Sequence, residues 1–300
     1  LREHDLGGER PRRRPRFDDD EPQFLKRQRR GEPPMAEPAP QDDDQPQWTT
    51  WDHPGVLHGP EPHPEWVVTA LAAVDAELGV LKTGKEADVH LVQRAVADTG
   101  PTSLLAAKRY RAAEHRMFHR DAGYLEGRRV RRSREMRAMA NRTSFGREVI
   151  AGQWAAAEFA ALSRLWDLGV AVPYPVQLLG TELMLEFIGD PDGTAAPRLA
   201  QVRGTADELA DLWRQLLDAL TVLARAGLAH GDLSPYNVLV HHGRLVLIDL
   251  PQVVDVIANP QGREYLIRDI TNVARWFAAR GVDVRVDDLS AELLADAGVR

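Results

Sequence analysis

The chain has 300 residues, 43% of them apolar, and a formal net charge of −7, which is enough apolar material for one large domain or two lobes. It contains no cysteine, so disulfides, thiolate metal sites and cysteine nucleophiles are excluded while phosphate chemistry is untouched. No apolar run reaches membrane-spanning length and the charged N-terminus has no signal-type apolar core, so the expectation is a cytoplasmic protein with no membrane partner.

Residues 1–62 are rich in Pro, Arg, Asp and Glu without helical or strand periodicity, and read as a disordered tail. His53, His58 and His63 lie among its prolines and read as solvated loop residues. Val67, Leu71, Val74 and Leu78 then fall at helical spacing, predicting a short amphipathic helix over Glu65–Leu78. Val80-Leu81 and Val89 to Val92 flank the glycine turn Thr83-Gly84-Lys85-Glu86, giving strand, turn, strand. Leu104 to Tyr110 reads as a third strand with Lys108 near its end. Between Arg109 and Arg147 twelve arginines face four acidic residues, a local balance of +8 that leaves −15 for the rest. Such a block is either a solvated insert or a surface that meets phosphate or RNA. Gly152–Leu168 is predicted helical, stopped by Pro173 and Pro175, and Glu182–Ile188 predicts another strand.

In the second half, Thr205 and Glu208 have the spacing of a capping box. The apolar stripe Leu209, Leu212, Trp213, Leu216, Leu220 and Leu223 follows, ending before Gly227. This helix delivers the chain into His230-Gly231-Asp232-Leu233-Ser234-Pro235-Tyr236-Asn237. Val238–Val240 and Leu245–Ile248 form a hairpin across His242-Gly243 that draws Asn237 and Asp249 together. A last strong helix is predicted over Arg263–Arg280, stopped by Gly281.

An aspartate, an asparagine five positions on, and an aspartate ending an apolar strand form a phosphotransfer signature. Asp232 orients or deprotonates a hydroxyl, and Asn237 with Asp249 holds a divalent cation on nucleotide phosphates. Mg²⁺, with Mn²⁺ as the alternative, needs only one carboxylate and one amide oxygen from the protein.

Glycine turn, strand lysine, helix glutamate, Asp-Asn loop and strand-end aspartate stand in an order that resembles the protein-kinase-like fold. The wording of Thr83-Gly84-Lys85-Glu86-Ala87-Asp88-Val89, Ala106 to Tyr110, Glu158 to Leu162, Leu183 to Gly189, His230 to Asn237, Ile248 to Gln252 and Arg268-Asp269 resembles the RIO family of atypical serine kinases. The resemblance implies an α+β fold with two lobes: a small β-rich N-lobe over 63–189, holding the arginine-rich insert at about 111–147, and a helical C-lobe over 190–285. Residues 286–300 are left as a short tail. It implies ATP as nucleotide, with Lys108 on its phosphates and paired to Glu158, or alternatively Glu148. It places Thr83, Gly84, Lys85, Glu86 and Val89 around the phosphates, Met184 in the pocket lining, and the backbone of Glu186 to Ile188 against adenine. Catalysis falls to Asp232 with Lys108.

Two departures from ordinary kinases narrow the expectation. Ser234 stands where a catalytic-loop lysine is usual, and Asp249 is followed by Leu250-Pro251, where proline has no N–H and a fixed φ. A long activation segment and peptide-docking helices are therefore expected to be absent. The leading expectation is a serine/threonine kinase or ATPase, with autophosphorylation the first activity to test and the protein substrate unidentified. Two alternatives stay open: a nucleotide-gated ribosome-assembly factor using the basic block on a ribosomal particle or RNA, and a small-molecule phosphotransferase of aminoglycoside or choline-kinase type, to which Pro235 points.

Overall fold

The computed structural model describes residues 47–98, 100–111 and 144–299; most of the expected tail and of the arginine-rich block lies outside the described residues. Strands β1 (Gln47–Trp48), β2 (Leu57–His58), β3 (Ala73–Thr83), β4 (Ala87–Val96), β5 (Thr102–Tyr110), β6 (Pro175–Leu179) and β7 (Glu182–Glu186) form one antiparallel sheet, in the spatial order β1-β3-β4-β5-β7-β6-β2. Side chains alternate between its faces. Val89, Lys108 and Leu183 align across β4, β5 and β7 on one face; Ala107 and Met184 align on the other.

The first face is covered by helix α1 (Ser144–Asp167), which buries Ala155, Phe159, Leu162 and Leu165. The second face has its own apolar cluster of Val67, Val92, Leu105, Ala107, Tyr174, Val176 and Met184, with Trp51, Trp66 and Trp166 packed around it. Arg94 is fully buried there, and its guanidinium donates to Asp75 at 2.7 and 2.8 Å, to Gln177 Oε1 at 2.9 Å and to Met184 Sδ at 3.2 Å. One buried arginine thus ties four strands, with its charge paired as burial requires.

Several expectations from the first half are corrected. Glu65–Leu78 is not a helix: turns and irregular chain lead to β3 at Ala73. The predicted stripe does not define a buried face, since Leu71 and Leu78 are 63% and 52% exposed. Asp75 and Glu77 instead use strand geometry to reach Arg94 on the adjacent β4 and Arg109 on β5, one strand further. Residues 47–62, assigned to the tail, supply both edge strands of the sheet. His58 and His63 are not simply solvated: His58 Nε2 lies 2.8 Å from Trp51 O, and His63 Nδ1 lies 2.7 Å from the buried Tyr174 hydroxyl. The helix predicted from Gly152 starts earlier, at Ser144, and the strand predicted over Glu182–Ile188 ends at Glu186.

The rest of the chain is mainly helical. In α2 (Ala206–Arg225), the Thr205 hydroxyl accepts from Glu208 N–H while Glu208 accepts from Thr205 N–H, the reciprocal cap expected from the spacing. Its apolar stripe is buried from Leu209 to Ala224. Then come β8 (Leu228–Ala229), the hairpin β9 (Val238–His241) and β10 (Arg244–Leu247), β11 (Val254–Asp255), which pairs antiparallel with β8, and α3 (Gly262–Ala278). The expected tail 286–300 instead contains α4 (Val286–Asp296), which buries Leu293 and Leu294 in the core shared with α2 and α3. Among the described residues no helix is long and apolar enough to cross a membrane.

Candidate active site

Lys108 points from the first sheet face towards α1. Its Nζ reaches both carboxylate oxygens of Glu158, at 2.8 and 2.7 Å, and Asp249 Oδ1 at 2.8 Å. Glu158 is 1% exposed and also accepts from the Tyr110 hydroxyl and from Leu250 N–H at 3.2 Å. Glu148 is exposed on the same helix, so the lysine's helix partner is Glu158. Burial alone would lower the Lys108 pKa, but the two carboxylates outweigh it and hold the pKa above the ordinary lysine value. Burial, reinforced by the adjacent Glu158 charge, pushes the Tyr110 phenol upward, so it remains a donor.

Asp249 follows β10 with φ at +66°, a left-handed conformation that aspartate tolerates better than most residues. Burial opposes its charge, yet Lys108, with help from Lys82, keeps its pKa below the ordinary value. The β9–β10 hairpin holds its two flanking residues together, with Ile248 N–H donating to Asn237 O at 3.0 Å. Asn237 is 8% exposed and its amide nitrogen donates to Asp232 O at 2.9 Å. That bond turns its Oδ1, the atom a hard cation needs, away from the loop backbone. A carboxylate and an oriented amide oxygen fit Mg²⁺, a small cation that keeps several waters.

Backbone hydrogen bonds to side chains of α3 hold the loop between β8 and β9. Asp269 of α3 is fully buried and accepts from Gly231 N–H at 2.7 Å and Leu233 N–H at 3.0 Å. Arg268 donates to Gly231 O, and Asn272 to Leu233 O at 3.2 Å. Burial raises the Asp269 pKa, with His230 and the two N–H donors pulling the other way. His230 Nδ1 lies 3.4 Å from Asp232 N and its Nε2 lies 3.1 Å from Ile248 O. Gly231 sits at φ +87°, where an added Cβ would overlap the Gln252 carbonyl. The result is an exposed Asp232 on a rigid loop. Pro235 is buried, and its carbonyl accepts from Ala200 N–H at 2.9 Å.

At the glycine turn, Gly84 N–H donates to Ala87 O at 3.0 Å, and an added Cβ would approach that oxygen. Thr83 and Lys85 are exposed there, Glu86 O accepts from Arg111 N–H at 2.8 Å, and Val89 shares the Lys108 face. The placement of Met184 is corrected. It lies opposite Ala107 on the far face, buried against Arg94, and does not line the Lys108 side. Strand alternation gives that side to Leu183 and Leu185 instead. Glu186 is partly committed as well: its N–H donates to Tyr174 O at 2.8 Å and its carboxylate accepts from Tyr174 N–H at 3.0 Å. Ile188 O accepts from Ala196 N–H at 2.9 Å.

The sequence reading passed over Lys82, Tyr110, Arg198 and Asn272. Lys82 lies in the field of Asp249, Lys108, Glu158 and Arg198; burial and the two like charges lower its pKa, while the carboxylates resist. Its signal, a lysine directly before Thr83, is indistinguishable from a surface charge without the fold. Tyr110 had a clearer one, two residues from Lys108 and so on the same strand face.

A sheet that carries a lysine bridged to a helix glutamate, above a loop supplying aspartate and asparagine, places the chain in the protein-kinase-like class. The comparisons are narrower. The RIO domain profile matches residues 98–289. The RIO-type serine/threonine-protein kinase Rio1 of Haloferax volcanii is 35% identical over 226 residues, covering 75% of this chain and 71% of the relative. The serine/threonine-protein kinase RIO1 of Chaetomium thermophilum is 34% identical over 229 residues, 73% of this chain but only 42% of that protein. The serine/threonine-protein kinase RIO3 of Bos taurus is 38% identical over 130 residues. The chain belongs to the RIO family of serine/threonine-protein kinases.

Proposed function

We propose that the protein transfers the γ-phosphoryl group of ATP to a serine or threonine hydroxyl, its own included, with Mg²⁺ as the companion cation and Mn²⁺ as a substitute. The observation that carries this reading is Lys108 held between Glu158 and Asp249 at 2.7–2.8 Å, beside a loop that leaves Asp232 exposed. Lys108 meets the phosphates, and Asn237 with Asp249 holds the cation, which supplies charge neutralisation on the phosphate oxygens. Adenine takes the Ile188 N–H, since the Ile188 carbonyl is already bonded to Ala196, with Val89 and Leu185 against the ring. Asp232 accepts a hydrogen bond from the acceptor hydroxyl and orients it. The oxygen bonds to the γ-phosphorus as the bond to the bridging oxygen of ADP breaks, and the proton leaves towards Asp232.

After Asp249 the chain pairs β11 with β8 and passes into α3 and α4, which fill the core with α2. The short link between Asp249 and α3 supports a protein kinase without a long activation segment. The +8 block at 109–147 supports a second contact, with RNA or a ribosomal particle, that weakens as salt rises. Replacing Arg128, Arg129, Arg131 and Arg132 together should remove that contact; salt-insensitive or absent RNA binding rejects it. The test of catalysis is incubation with γ-labelled ATP, alone and with a lysate, using Asp232→Ala as control. Label on the protein or on lysate proteins, absent in the control, supports the reading. Tight Mg²⁺–ATP binding with neither hydrolysis nor labelling rejects it.

A further inference from the structure

Away from the cleft, Asp190, His241 and His242 converge on one spot. The β9–β10 turn has positive φ at both central residues, +48° at His242 and +75° at Gly243, the geometry of a tight type I′ hairpin. It brings the two consecutive imidazoles together, with ring centroids 4.1 Å apart and planes inclined at 43°. Asp190 Oδ1 lies 3.2 Å from His241 Nε2 and 3.4 Å from His242 Nε2. One ligand atom from each residue lies within 4.8 Å of the others.

Both backbones that present these groups are anchored. Asp190 N–H donates to Thr194 O at 2.9 Å and Gly193 N–H returns to Asp190 O at 3.0 Å. Across from it, Gln215 of α2 donates to Gly243 O at 2.8 Å and accepts from Leu245 N–H at 2.9 Å. Such support holds ligands in place before an ion arrives.

We infer that Asp190, His241 and His242 form a surface site for a divalent transition metal of the zinc class, separate from the Asn237–Asp249 pair. Two imidazoles and one carboxylate suit Zn²⁺, Co²⁺ or Ni²⁺ and disfavour Mg²⁺, which selects oxygen. His242 is 76% exposed, so water completes the coordination. On binding, each Nε2 offers its lone pair with the proton on Nδ1, and Asp190 changes from hydrogen-bond acceptor to ligand. The ion fastens the loop after Ile188 to the hairpin whose ends carry Asn237 and Asp249.

The test is calorimetric titration of chelator-treated full-length protein with Zn²⁺, and separately with Mg²⁺, for the wild type, His241→Ala, His242→Ala, Asp190→Asn and the control His58→Ala. Circular dichroism confirms that each variant is folded. The expected result is a Zn²⁺ site weakened by about tenfold or more in each of the three ligand variants and unchanged in His58→Ala. X-ray absorption at the zinc edge should show two imidazoles in the wild type. Zn²⁺ affinity equal in wild type and ligand variants, loss in His58→Ala alone, or no preference for Zn²⁺ over Mg²⁺ overturns the inference. None of these readouts depends on phosphotransfer, so the site stands or falls apart from the kinase reading.

Discussion

The two halves of the candidate active site are built on opposite physical plans. Around Lys108 the structure is made of charges that satisfy one another: Lys108 with Glu158 and Asp249, with Lys82 in the same field. Around Asp232 it is made of backbone groups bonded to side chains, chiefly Gly231 and Leu233 on the buried Asp269. The first arrangement can be redistributed, because a polyphosphate offers Lys108 a new partner without leaving Glu158 bare; Tyr110 and Leu250 still donate to it. The second cannot shift without leaving buried donors unpaired, so it holds Asp232 in one place. One side receives the ligand and the other waits for it already formed.

The strongest way to break this contrast is Asp269→Ala. Two buried N–H groups lose a charged acceptor together, so the expected cost is about 3–5 kcal/mol, with transfer lost as the loop relaxes. Urea denaturation measures it, and a cost below about 1 kcal/mol would mean the loop is not held from α3. Lys108→Ala comes next, at about 3 kcal/mol, because it leaves Glu158 buried without its cationic partner. Lys108→Ala combined with Glu158→Gln should recover part of that stability while nucleotide binding stays weak. If the double variant is no more stable than the single, the charges are not what holds this half together.

The third prediction concerns pH. The folded pKa of Asp249 lies below its ordinary 3.8, so the stability it contributes is present above that value and is lost as pH falls through the lower folded one. Asp249→Asn should therefore flatten the acid limb of the stability curve below about pH 4 and abolish productive Mg²⁺–ATP binding. Denaturant midpoints across pH 2–7 check the limb. The smallest effect separates neighbours on β7. Leu185→Ala should raise the KM for ATP several-fold, whereas Met184→Leu, a swap costing less than about 1.5 kcal/mol, should leave KM unchanged. Equal KM effects would contradict the face assignment.

Legibility in the sequence followed locality. The loop from His230 to Asn237, the hairpin after it and the capping box at Thr205 depend on residues a few positions apart, and the structure has them where the spacing put them. The stretch from Glu65 to Leu78 depends on a partner strand. Its apolar residues fit a helix, and only the register with β4, through Asp75–Arg94 and Val74↔Ala95, makes its last residues, from Ala73 on, a strand. Met184 failed for a related reason: one residue along a strand reverses the face, and no composition reveals which face carries the lysine. The α4 helix was unreadable because its two buried leucines need α2 and α3 to complete their environment.

The segment Gln47–His58 ends in a different kind of role. Its β1 lies against β3 and its β2 against β6, so one short stretch flanks both sides of the five strands between them. Trp51, between them, packs against the apolar cluster on the far face. Unpaired edges are templates for another copy's strands. A chain clipped at Pro64 would keep every residue of the phosphotransfer site yet present two bare edges, and its first failure would be colloidal: self-association in solution before any loss of chemistry.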